Sequence, residues 1–340
     1  MSVLAVRYLG AGTVEAAPAD NPPPGPGEVE LAPAFVGICG TDLHIFHGSM
    51  DARVKAPAVL GHEMSGRITR VGEGVTGWAP GDAVTVMPLS WDGDCPACLA
   101  GHRHICHHLN FIGIDSPGAM QQRWTVPAGT LVRLPASVAL HHAALVEPTA
   151  VAVHDVRRAR IRDGERVVIA GGGPIGVLIG LVVRAAGAEV RLVELNGHRR
   201  ALAERMGLTT WDPETDDIPG LVDEWTGGAG AEVSFEVSGA AGGVALAVDV
   251  LGVRGRLCLV AIHPQPREIN LHRFFWRELT LVGARLYERA DFERAVELVA
   301  DGTIPAELLI SKVVPLAEAA TAFQTLDRGG DVMKVLVSCA

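Results

Sequence analysis

Three cysteines and an aspartate share one short stretch, Asp92-x-x-Cys95-x-x-Cys98-x7-Cys106. Four donors at this spacing along a single loop can wrap one tetrahedral zinc ion and leave no coordination position open, which is a structural rather than a catalytic arrangement. Asp92 stands where the stronger four-thiolate form would have a cysteine. A carboxylate oxygen binds zinc, so Asp92 is the first choice for the fourth ligand; His102, His104, His107 and His108 compete with it, and three unligated thiols are the plain alternative. A second set of donors is dispersed: Cys39 in Gly37-Ile-Cys-Gly-Thr-Asp-Leu-His44, the pair His62-Glu63 after Gly61, and Glu147 in Val146-Glu-Pro148. One thiolate, one imidazole and carboxylates from distant segments suit a catalytic zinc with a position left for water or substrate. Taken singly, each is ambiguous, because a lone buried cysteine is usually a small hydrophobe and a lone histidine usually a satisfied hydrogen-bonder.

A third group is a glycine turn, Gly171-Gly172-Gly173-Pro174-Ile175-Gly176. It has the G-x-G-x-x-G form and follows the apolar run Val167–Ala170, opening a predicted helix from about Pro174 to Ala186. Glycines there let backbone approach a pyrophosphate, the helix amino terminus offers unpaired N–H groups, and Gly176 lets the helix pack close to the sheet. Glu194 ends the next predicted strand, Glu189 to Glu194, and can accept hydrogen bonds from a ribose diol. A carboxylate there repels a 2′-phosphate, which favours NAD over NADP. Arg199 and Arg200 follow closely and pull the other way, since a guanidinium pairs well with phosphate.

These groups need elements to hold them. Up to about Val126 the chain alternates in short stretches, such as Glu28 to Ala32, Gly66 to Val71 and Asp82 to Val86, cut by Gly and Pro turns, which predicts a β-rich domain. From Arg166 the pattern becomes strand, helix, strand. Further strands are expected at Glu232 to Val237, Arg256 to Ala261 and Leu279 to Gly283, which predicts an α/β doubly wound parallel sheet. The spacing Phe292, Ala295, Val296, Val299 predicts a helix, and Met333 to Val337 a terminal strand that returns to the first domain. A length of 340 residues suggests two domains: 1–150 with 287–340, and 151–286.

Composition narrows the partners. Hydrophobic residues at 48% and charged residues at 20% exclude a disordered chain. A formal charge of −10 disfavours a nucleic-acid binder, which must neutralise phosphates with surplus Lys and Arg, so a small molecule is the expected partner. The amino end has no long apolar run behind a basic segment, and the best apolar stretch, Val177 to Val183, is far too short to span a bilayer. The expected location is therefore cytoplasmic, where clustered cysteines point to metal rather than to disulfides.

In order and spacing, these segments together resemble the zinc-dependent medium-chain alcohol dehydrogenases, and within them the polyol branch of sorbitol, butanediol and threonine dehydrogenases. The resemblance runs along nearly the whole chain. It implies a GroES-like β domain carrying two zincs, a Rossmann domain carrying the nicotinamide cofactor, a homo-oligomer (dimer or tetramer), and interconversion of a secondary alcohol and a ketone. It implies that Cys39 and His62 bind the catalytic zinc, with Glu63 or Glu147 completing the shell directly or through water. On that reading Thr41 can pass the hydroxyl proton through the cofactor ribose to His44, and a zinc-bound water held by Glu147 is the alternative proton acceptor. Asp42 either orients His62 or serves as a turn or capping carboxylate. Glu147, where related alcohol dehydrogenases carry cysteine, is what points to the polyol branch. Two departures stand out: Asp92 replaces a cysteine, and the Arg-Tyr pair of sorbitol dehydrogenases is Leu286-Tyr287 here. Rival readings are a threonine dehydrogenase, a zinc-free quinone reductase on the same scaffold, and a non-catalytic nucleotide sensor with structural zinc alone.

Overall fold

The strand Glu28–Gly37 is the spine of the amino-terminal sheet in the computed structural model, which describes residues 2–339. It pairs antiparallel with Glu63–Val71 on one side and with the terminal strand Lys334–Ser338 on the other. Leu131–Arg133 and Ala83–Val86 extend the sheet beyond Glu63–Val71, and Ile310–Pro315 extends it beyond Lys334–Ser338. Alternation along these strands places Leu31, Val36, Met64, Ile68, Val84 and Leu336 in the interior. Each fully buried aliphatic side chain of this kind contributes roughly 1.5–3 kcal/mol. The register sets Gly37 opposite both Glu63 and Leu336. A smaller sheet joins Ser2–Gly10 to Thr13–Asp20 and Ala58–Val59.

This unit comprises Met1–Glu147, Glu288–Gly302 and Leu309–Ala340, and a second compact unit comprises Pro148–Tyr287 and Thr303–Leu308. The second unit is a six-stranded parallel sheet. Its strand order is Thr209–Trp211, Glu189–Val193, Arg166–Ala170, Ala231–Glu236, Leu251–Leu259 and Thr280–Gly283. The strand that is first in sequence thus lies inside the sheet, and the winding direction reverses beside it, the place where open α/β sheets form a crevice at their carboxyl ends. The helix Pro174–Ala185 is buried from Gly176 to Val183, as its all-apolar surface requires.

In the second unit two strands differ from the pattern read in the sequence. Leu251–Leu259 begins five residues before Arg256, because Gly252-Val-Arg-Gly255 looks like a turn; Arg254 does adopt a φ of 58°, yet the pairing resumes across an irregularity. The edge strand Thr209–Trp211 is three residues long and carries no run of buried side chains to announce it. No helix among the described residues is long and apolar enough to cross a membrane.

Candidate metal centres and nucleotide loop

Cys39 lies at the start of the short helix Gly40–Phe46, just after the spine strand. His62 precedes the paired strand, and Glu63 is its first residue. The register therefore brings segments more than twenty residues apart to one end of the sheet, and ligand atoms of Cys39, His62 and Glu63 lie within 4.8 Å of one another. His62 is buried, with the Cys39 side chain close enough to act on its ring. Burial opposes charging of that ring, but Asp42, Cys39 and Glu147 around it outweigh burial and raise its pKa well above 6.5. A buried pocket in which anionic groups make even an imidazole favour its cationic form fits a divalent cation. The donor set of sulfur, nitrogen and carboxylate oxygen fits zinc in particular.

Asp42 does the capping work the sequence allowed, its Oδ2 accepting the Cys39 N–H at 2.9 Å. Its Oδ1 stands 3.8 Å from His62 Nδ1, within ion-pair reach but beyond a hydrogen bond, and neither buried atom has a hydrogen-bond partner. Burial raises the Asp42 pKa, opposed by His62 and the Cys39 N–H. Glu147, buried in the first turn of Val146–Ala159, is close enough for its charge to act on His62, but it is outside the group of three converging donors. Thr41 and His44 are three residues apart on Gly40–Phe46, Thr41 partly buried and His44 exposed.

One member of this centre went unread in the sequence. Lys334, 4% exposed, places Nζ 2.8 and 2.7 Å from the two carboxylate oxygens of Glu63 and 3.3 Å from the Ile38 carbonyl. Burial works against the ammonium, but Glu63 first, then Cys39 and Glu147, raise its pKa above 10.5. The available cue was a lone cation within the buried run Met333 to Val337.

In the second cluster Asp92, Cys95, Cys98 and Cys106 have ligand atoms within 4.8 Å of one another. Cys95 caps the short helix Pro96–Leu99, and Trp91, Ala97 and Leu109 pack on the three buried cysteines. Backbone N–H groups of Cys98 and His107 donate to Cys95 Sγ at 3.4 and 3.5 Å, and that of His108 donates to Cys106 Sγ at 3.3 Å. Such donors stabilise thiolates: at Cys95 burial raises the pKa, yet the N–H groups of His107 and Cys98 bring it below 9.0. At Cys98 burial leads and the pKa is pushed up to about 12, so that thiol becomes a thiolate only beside a cation. Of the four competing histidines, His108 joins Asp92 instead of the sulfurs, Nδ1 to Oδ2 at 2.6 Å. That bond holds the Asp92 carboxyl well below the usual range and orients it in the way outer-shell partners orient metal ligands.

The glycine turn lies in the second unit, at the carboxyl end of Arg166–Ala170. Gly171 has a φ of 112°, and a Cβ on Gly176 would sit 1.9 Å from the Gly171 carbonyl oxygen. Gly173 caps the helix and Pro174 and Ile175 open it, leaving its first N–H groups free of a side-chain cap. Glu194 folds back onto the turn, accepting the N–H of Gly172 at 2.7 Å and of Asn196 at 2.8 Å. Arg200 is committed elsewhere, to the carbonyls of Glu194 and Leu195 and to Asp212. Arg199 reaches the turn, with a buried Nε that has no hydrogen-bond partner. A turn stripped of side chains at an open helix terminus, with an acid beside it, fits a dinucleotide.

Comparison with known proteins agrees with both halves. Residues 25–136 match the alcohol dehydrogenase GroES-like domain, and residues 174–301 match the zinc-binding dehydrogenase family. A 2-dehydro-3-deoxy-L-galactonate 5-dehydrogenase of Pseudoalteromonas atlantica is 48% identical over 99% of both chains. A sorbitol dehydrogenase of Halalkalibacterium halodurans is 32% identical over 99% of both. A solved structure from Sinorhizobium meliloti with NADP bound superposes with a TM-score of 0.93, at 32% identity and 99% coverage of each chain. With a β-rich unit and a doubly wound unit in this order, and full-length likeness to sugar-alcohol and sugar-acid enzymes, the chain belongs to the polyol branch of the zinc-dependent medium-chain alcohol dehydrogenases, NAD(P)-dependent enzymes that interconvert secondary alcohols and ketones.

Proposed function

We propose that this enzyme interconverts a secondary hydroxyl of a sugar acid and the corresponding ketone, with NAD as hydride carrier and two zinc ions per chain. The observation that carries the chemistry is the convergence of Cys39, His62 and Glu63 within 4.8 Å; the substrate class rests on the 48% identity to a sugar-acid dehydrogenase over the full length. Cys39 and His62 are the first two ligands of the catalytic zinc, and Glu63 and Glu147 are the carboxylates of its surroundings. Asp92, Cys95, Cys98 and Cys106 hold the structural ion. When bound, zinc supplies the positive charge that favours loss of the substrate hydroxyl proton, and NAD accepts the hydride. Thr41, two residues from Cys39, would accept the substrate hydroxyl proton as it gives up its own through the cofactor ribose to the exposed imidazole of His44, which would exchange it with solvent.

NAD is preferred because the Glu194 carboxylate is pinned against the glycine turn, and because Arg200 is engaged by Asp212 and two carbonyls and is not available to a 2′-phosphate. The expected assembly is a homo-oligomer, dimer or tetramer; exposed Leu271, Phe275, Trp276 and Leu281 on and before the edge strand Thr280–Gly283 support it. The test is NAD-linked turnover of 2-dehydro-3-deoxy sugar acids and aldonates beside sorbitol, butanediol and threonine. A kcat/KM at least about tenfold higher for a sugar acid is expected. Sorbitol or threonine as the better substrate would overturn the assignment.

A further inference from the structure

Past the ends of two neighbouring strands of the parallel sheet, one buried carboxylate ties two loops together. Glu236 closes Ala231–Glu236, the strand beside Arg166–Ala170, and is sealed from solvent. Its Oε1 accepts the N–H groups of Ser238 and Gly239 at 2.9 and 3.0 Å and the Ser238 hydroxyl at 2.6 Å, which sets the turn after that strand. Its Oε2 lies 2.8 Å from Nε2 of His263, just past the end of Leu251–Leu259. Arg267 donates to the Gly239 carbonyl at 3.2 Å and to His263 Nδ1 at 3.4 Å, so Nδ1 accepts and Nε2 is left to donate to the carboxylate. A buried carboxylate is costly unless its oxygens are satisfied, and here both are. Main-chain bonds from Val260 and Ala261 to the Glu236 carbonyl hold the second loop as far as residue 261. Beyond it residues 264–268 are exposed, and the side chains of His263 and Arg267 tie them back.

In a sheet of this strand order a dinucleotide crosses the carboxyl ends where the winding reverses, one mononucleotide on each side. Glu194 and the glycine turn occupy the side of Glu189–Val193, fit for the adenosine half, and Ala231–Glu236 and Leu251–Leu259 form the other side. The turn set by Glu236 reaches the glycine turn itself, since a Cβ on Gly171 would stand 2.9 Å from the Ser238 nitrogen. We propose that His263 is a positioning residue: bonded to Glu236, it latches the loop after Leu251–Leu259 where that loop receives the nicotinamide half of the cofactor. This rests on the reading of the glycine turn as the dinucleotide site. With the latch removed, the loop populates other positions, and binding of the nicotinamide half has to select the latched one, which lowers the apparent affinity by the fraction lost. The adenosine half, on the far side of the glycine turn, is untouched.

The test measures by calorimetry the Kd of NADH and of ADP for wild type, His263→Leu, His263→Gln and Arg267→Ala; ADP carries the adenosine and pyrophosphate but neither the second ribose nor the nicotinamide. His263→Leu should weaken NADH by about tenfold or more and leave ADP within about twofold of wild type. His263→Gln, whose amide donates in place of Nε2, should restore NADH to within about threefold of wild type. Arg267→Ala, a change at an exposed side chain, should weaken NADH by about threefold with ADP unchanged, and decides the matter if His263→Leu does not fold. Equal weakening of both ligands or no weakening of NADH in His263→Leu, or in Arg267→Ala where the former does not fold, would overturn the latch, as would failure of glutamine to restore NADH binding. Wild-type protein that binds neither ligand would instead overturn the nucleotide site on which the latch rests.

Discussion

Replacing Glu194 with serine probes the cofactor preference through one charge. Glu194 is half-buried at the end of Glu189–Val193, and its carboxylate is held on the glycine turn by two backbone N–H groups. A 2′-phosphate arriving about 5 Å away would meet a repulsion of about 0.8 to 3 kcal/mol per pair of unit charges, for an effective dielectric between about 80 and 20. Partial exposure selects the low end. A phosphate of nearly two charges then costs about 1.5 kcal/mol, equivalent to about tenfold in NADP affinity. The assay is the ratio of kcat/KM with NAD to that with NADP. Glu194→Ser should lower this ratio by about tenfold or more, with NADP gaining and NAD losing some of its ribose contacts. Glu194→Gln, of similar size but neutral, should move it the same way, which separates charge from a gap at the turn. A ratio unchanged within about threefold in both variants would refute the electrostatic argument.

Two further outcomes follow from the geometry. Asp92→Ala should release one metal ion per chain and lower the thermal midpoint by roughly 5 °C or more, while measurable turnover remains; loss of activity without destabilisation would contradict the division between structural and catalytic sites. The Glu30 pKa is lowered chiefly by its hydrogen bonds to Arg70, with Thr69 helping against burial. A depressed carboxylate contributes stability above its unfolded pKa and loses it as pH falls through the folded value. Arg70→Ala should therefore destabilise at pH 7, with the difference from wild type fading as pH falls below roughly 4. Urea unfolding across this range checks it, and a pH-independent difference would reject the ion pair as its cause.

What could be read from the residues alone was whatever is local. The spacing of Cys95, Cys98 and Cys106 and the glycine turn with its flanking strand and helix are contiguous signals, and the fold class followed from the change of period at Arg166. The converging donors Cys39, His62 and Glu63 came from two motifs whose relation only sheet register makes visible. Lys334 lay beyond reach because its partner is 271 residues away. Asp42 shows another limit: sequence offered a cap or a contact to His62, and the backbone of Gly40–Phe46 satisfies the first while leaving the second at 3.8 Å. His108 was legible as a possible ligand but not as the partner that orients Asp92, since that depends on how the loop closes.

The most direct measurement is elemental metal analysis of the purified enzyme and its Cys39→Ser variant, paired with NAD-linked turnover. The account predicts two zinc ions per wild-type chain, one in the variant, and activity lost with the missing ion. A variant that keeps both ions, or that turns over normally with one, would contradict the central claim that Cys39 and His62 hold the metal at which the alcohol reacts.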